Sequence, residues 1–134
     1  MQPMFIIAIS LHALAAMFWA GTSFTLARIG GVGGEQLFRP QMGAAVIAVL
    51  TGAYLGHVAH AGAFDTAEQV LALGAFCAIV AAGVQGAIGG RAIRSLHSGT
   101  ADEAGARRRI ALAQRVAAGL LAVTAVCMVA ARYL

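Results

Sequence analysis

Charge is what this sequence has least of. Only 10% of its 134 residues are charged, against about a quarter in an ordinary soluble domain. By contrast 60% are apolar, and the mean hydropathy is +0.84. So few charges cannot cover the surface of a water-soluble domain, and the chain reads as an integral membrane protein. Lysine is missing altogether. The nine basic residues are all arginine and stand between apolar stretches rather than along one face, which excludes a nucleic-acid footprint despite a net charge of +4. Cysteine occurs only as Cys77 and Cys127, both inside apolar runs, and neither points to a redox compartment. No basic segment precedes the first apolar stretch, as a secretory signal requires, so an uncleaved first span is expected. The apolar stretches hold no acid, and there is no serine–histidine–acid set and no phosphate loop, so nothing suggests a hydrolase or a transporter.

What is present in abundance is uncharged sequence. Met4 to Ala27, Pro40 to Phe64 and Gln69 to Gly90 each exceed the roughly 20 helical residues that cross the hydrocarbon core. A fourth run, Val116 to Ala131, reaches back to Ile110 if Arg115 snorkels to the interface. Backbone in lipid must satisfy its own hydrogen bonds, and these runs lack the alternation of barrel strands, so they predict α-helices. The expected fold is all-α, a single domain over residues 1–134 built as a four-transmembrane-helix bundle. Pro40, at the edge of its run, is expected to start a helix rather than kink one.

Arginine sets the orientation. Arg28 and Arg39 lie in the first connection, and Arg91, Arg94, Arg107, Arg108, Arg109 and Arg115 in or beside the third; only Arg132 falls on the other side. The positive-inside rule then places both termini on the non-cytoplasmic side of a cell inner membrane. Ile29 to Gly34 is glycine-rich and reads as a turn. Thr100 to Glu103 matches a capping box, so a helix is expected to start there and run into span four. Two GxxxG steps, Gly52 to Gly56 and Gly86 to Gly90, allow close helix approach or leave volume for a flat cofactor.

Four histidines carry the chemistry. His97 lies in a connection, and His60 near the outer end of span two. His12 and His57 stand about 12 Å and 10 Å from the outer ends of spans one and two at 1.5 Å per residue. Consecutive spans are antiparallel neighbours, so two imidazoles are expected at one depth, as a bis-histidine haem site requires. Each could instead bond a neighbouring hydroxyl or carbonyl, Ser10, Thr51 and Tyr54 being near in sequence. His60, one turn from His57 on the same face, leaves a further metal ligand open. Copper is the chemical alternative: Met4, Met128 and Cys127 fall toward the outer side, although the methionines lack a paired spacing and read more easily as packing. Trp19 could lie against a cofactor or a neighbouring helix.

The segment Leu11-His12-Ala13-Leu14-Ala15-Ala16-Met17-Phe18-Trp19-Ala20-Gly21 resembles the first span of HemJ-type and CopD-like membrane proteins. The likeness continues through Phe38-Arg39-Pro40-Gln41-Met42 and Gly83-Val84-Gln85-Gly86, and in layout it covers nearly the whole chain. It implies a four-helix membrane bundle binding haem b or copper near His12, the haem ligand in the HemJ-type family, which oxidises protoporphyrinogen IX. That family places a Lys early in span three, where this sequence has Gly74, and Gln85 stands where a His is expected; both count against that oxidation.

The resulting expectation is a cytochrome b-like electron-transfer protein. Haem b sits between His12 and His57, with Arg132 the one outer arginine available to a propionate. Besides the lipid bilayer, its partners would be a quinone, a periplasmic electron carrier, a larger membrane complex or further copies of itself. The alternatives are CopD-like copper handling, a cofactor-free accessory subunit and a HemJ-like oxidase.

Overall fold

The computed structural model describes residues 2–59, 62, 65–99 and 102–134, and these contain helices and turns but no strand. The helices are α1 (Gln2–Arg28), α2 (Gly34–Ala59), α3 (Thr66–Val84), α4 (Gly90–Ser98) and α5 (Glu103–Arg132). A π-helical turn, Gln85–Gly89, joins α3 to α4 without a break, so the third span runs from Thr66 to Ser98. Four helices are thus long and apolar enough to cross a membrane, and the chain is a multi-pass membrane protein. Arg28, Arg39, Arg91, Arg94 and the Arg107–Arg109 triplet all cluster toward one end of the bundle, called here the arginine-rich end.

The helices close on α5. Half of its apolar window is buried, against 17% for α1 and 22% for α2. α5 packs most extensively on α3 and also on α1, which in turn pairs with α2. Small side chains make this possible. Ala15, Ala44, Ala45, Ala48, Ala78, Ala81 and Ala117 form the core with Trp19 and Leu121. Gly74 lets α3 approach α5 so closely that an added Cβ would meet the Cβ of Cys127 at 3.0 Å. In lipid, where apolar burial gives no net drive, such close contact is the main source of helix association.

Helix ends depart from the sequence expectation in two places. Pro40 lies inside α2, because the helix already starts at Gly34. The turn before it explains this. Gly30, Gly31 and Gly33 all adopt positive φ, and the carbonyl of Gly33 accepts from the amides of Gln36 and Leu37, winding the helix early. At the start of α5, Asp102 is the cap, its carboxylate accepting from the Gly105 amide. Thr100, the expected cap, lies outside the described residues. A smaller cluster, Ala92, Ile93, Ala106 and Ile110 with Phe38 and Leu96, holds α4 against α5.

Candidate functional site

Two polar centres lie within the bundle, at different depths. The first is the imidazole of His12. Its Nδ1 stands 2.9 Å from the carbonyl oxygen of Ala48 and 3.1 Å from the hydroxyl of Thr51, both on α2. The Thr51 hydroxyl spends its own proton on the carbonyl of Ile47, at 2.6 Å. Both neighbours of Nδ1 are therefore acceptors, so Nδ1 carries the ring proton. In the Nδ1–H tautomer of imidazole, Nε2 is the ring's ligating nitrogen. Gly52 makes room for it: a Cβ there would lie 3.0 Å from Cε1 of the ring. In the first GxxxG step, then, Gly52 accommodates a histidine side chain, and Gly56 faces open space.

His12 is half-buried, level with Thr51 and Gly52 on α2. His57 lies about 8 Å further along α2 and about 120° round it from Thr51, at 1.5 Å and 100° per residue. Its side chain is exposed. The backbone of His57 is thus offset along α2 from the level that His12 contacts, where the count from the span ends set the two at one depth. His60 lies outside the described residues. Arg132 is exposed at the far end of α5, in its last helical turn. Among the described residues no group of three or more His, Cys, Asp or Glu could hold a metal ion. Met4 and Met128 are exposed and Cys127 is buried. Beyond His12, toward the outer end, an open cleft of about 420 Å³ runs between α1 and α2, lined by Gln2, Phe5, Ile6, Tyr54 and Val58. Tyr54 begins it roughly one turn beyond Thr51.

Trp19 belongs to the second centre, about two turns nearer the arginine-rich end than His12. Its indole N–H donates to Oε1 of Gln85 at 2.6 Å. An indole can only donate, which fixes the Gln85 amide and leaves its NH2 to donate to Ser23 (2.8 Å) and to Oε1 of Gln114 (2.9 Å). Gln114 donates in turn to Gln41 at 3.0 Å, and Gln41 donates to Thr22, Ser23 and Gln114. Ser23 gives its proton to the carbonyl of Trp19. Gln41, Gln85 and Ser23 are wholly buried, and no buried side-chain polar atom among the described residues lacks a partner. The network ties all four spans together.

Sequence reasoning had Gln41 and Gln85 in view but did not join them. The available signal was three glutamines, each inside an apolar run at a similar distance from the arginine-rich end. A polar amide there must find a partner on another helix. Gly74, where a Lys was expected, faces Cys127 and Thr124 across a contact too tight for a long side chain.

At the arginine-rich end the guanidinium of Arg107 forms a two-pronged pair with the carboxylate of Glu35 and donates to the carbonyl of Gly31 at 3.3 Å. This joins α5 to the turn before α2. No protein-family profile, curated protein or solved structure matches the chain.

Proposed function

We propose that this protein binds haem b through Nε2 of His12 and serves electron transfer in a cell inner membrane. The supporting observation is the fixed tautomer. Metal-ligating histidines hold their second ring nitrogen on a carbonyl, and His12 has that arrangement with Ala48 and Thr51 behind it. The donor fits the group; the interior beside it does not, being closed by alanines and by the Gly74–Cys127 contact. A macrocycle held by His12 would have to lie on the flank of the α1–α2 seam, where Phe5 and Tyr54 line an open cleft toward the outer end. Bound there, the iron would supply a one-electron ferric–ferrous couple. Ala48 and Thr51 hold the ring in place, and Gly52 keeps the space it occupies. His57 is the second haem-holding residue the sequence proposes, and its separation from His12 along α2 makes it the position to test.

This reading keeps the likeness of the Leu11–Gly21 segment to HemJ-type and CopD-like proteins as a proposed kinship. It keeps both termini on the non-cytoplasmic side, where a quinone, a periplasmic carrier, a larger complex or a second copy would meet the cleft. Copper is the alternative ligand for the same imidazole. A second reading, a cofactor-free accessory subunit, draws on a different observation: the alanine-packed interior and a polar network with every buried atom satisfied.

The absorption spectrum of detergent-purified protein decides among them. A Soret band with α and β bands on reduction is expected, and it should be lost in His12→Ala. Copper by elemental analysis without haem would replace the cofactor. Neither haem nor copper, in protein purified from haem-replete cells, would leave the accessory subunit.

A further inference from the structure

Arg115 is the arginine that the bundle does not account for. It is exposed on α5, within the apolar stretch, and among the described residues it makes no hydrogen bond or ion pair. Two counts give its depth. Ile110 and Ala111 lie against Gly31 in the turn between α1 and α2, and a turn between two spans belongs at the membrane boundary. Arg115 is four to five residues further in, about 6–7 Å. Counting some 20 residues back from Ala131, the span starts near Leu112 and sets Arg115 about 5 Å inside. The two counts agree.

Leaving a guanidinium in hydrocarbon without a counter-charge is costly. The protein offers none. Of the five acids in the sequence, Glu35 is taken by Arg107, Asp102 and Glu103 lie three to four turns away at the start of α5, and Asp65 and Glu68 flank the other end of the bundle. The side chain must therefore rise toward the boundary. Above it on the same face of α5 stands Arg108, seven residues or two turns away, exposed and likewise without a hydrogen bond or ion pair among the described residues. Between them Leu112 is 54% exposed, and Val116 beside them is 42% exposed. Arg108 now lies with its Nη2 4.0 Å from the Cβ position of Gly105, on the Asp102 side. Turned along the helix toward Arg115, about 10 Å away at Cα, it can meet that guanidinium at one tetrahedral anion, over an apolar strip that suits an acyl chain.

We infer that Arg108 and Arg115 form a binding site on α5 for the phosphate of an anionic phospholipid in the leaflet at the arginine-rich end. Arg107 is excluded by its pair with Glu35, and Arg109 points about 100° away round the helix. The site is independent of any cofactor on His12.

Native mass spectrometry of the full chain in detergent, titrated with phosphatidylglycerol or phosphatidylcholine, tests this. The wild type is expected to retain one phosphatidylglycerol in preference to phosphatidylcholine. Apparent affinity should fall about fivefold in Arg115→Gln and again in Arg108→Gln, the effect of one arginine at a lipid surface. Arg115→Lys should keep part of the preference, and Arg39→Gln, which removes an exposed charge from α2, should keep all of it. Inorganic phosphate in excess should not displace the lipid. Equal retention of both lipids, an equal loss in Arg39→Gln, or displacement by free phosphate would overturn the site. A thermal melt of each variant separates loss of binding from loss of fold.

Discussion

Three residues, His12, Thr51 and Gly52, make the arrangement on which the functional reading rests. With the Thr51 hydroxyl and the Ala48 carbonyl both accepting, the contacts of His12 are those of an Nδ1–H tautomer. Nitrogen-15 NMR of histidine-labelled protein, freed of any metal, should show that tautomer for the resonance lost in His12→Ala. Gly52→Val places branched atoms where Cε1 now lies, 3.0 Å from the Cβ position, and should displace the ring and shift that resonance. Gln85 tests the other centre. Gln85→Leu leaves the Trp19 indole buried without an acceptor and should cost about 1–3 kcal/mol in reversible unfolding from mixed micelles. Adding Trp19→Phe removes the orphaned donor. The double variant should therefore lose less than the sum of the two single changes.

The elements were largely legible in the sequence, and their ends were not. Charged residues bound the apolar runs, and lipid permits little except helix within them, so the number and place of the four spans follow from hydropathy. Helix termini are set by local backbone chemistry instead. Gly31, at φ +81°, and its neighbours turn the chain so tightly that α2 starts six residues before Pro40. Likewise a charge count placed the end of span three at Gly90, whereas a π turn carries it on to Ser98, with Gly90 3.3 Å from Phe38 at its Cβ position. Counting depth from such ends misplaced His57 against His12; the direct contact of His12 with α2 gives the level instead. The glutamine network was visible residue by residue and hidden as a set, since its pairing depends on how α5 sits among the other spans.

Two substitutions test the elements. Gly31→Ala adds a Cβ at positive φ and 3.1 Å from backbone atoms of Arg107 and Ala111, so a loss of about 1–3 kcal/mol is expected in the same unfolding assay. Gly74→Val should open the α3–α5 seam at Cys127 and cost a similar amount, about 1–3 kcal/mol.

At the scale of the molecule, one end is charged and braced and the other carries the cleft. The Glu35–Arg107 pair is a quarter exposed on each side chain, so its double-mutant coupling should stay near or below about 1 kcal/mol and shrink with salt. The brace fixes a turn; it does not hold the bundle. That task falls to α5, whose small residues meet the other helices and whose Gln114 completes the network. The interior is thereby closed, so a redox group held by His12 would sit at the edge of the molecule.

The central claim is that His12 offers its Nε2 to iron. Haemin titrated into cofactor-free wild-type protein and into His12→Ala, followed at the Soret band, measures it most directly. Saturation near one haem per chain in the wild type, with binding weakened at least about tenfold in His12→Ala (more than about 1.4 kcal/mol), is the predicted result. Equal binding by the two proteins, or none by the wild type, would contradict it.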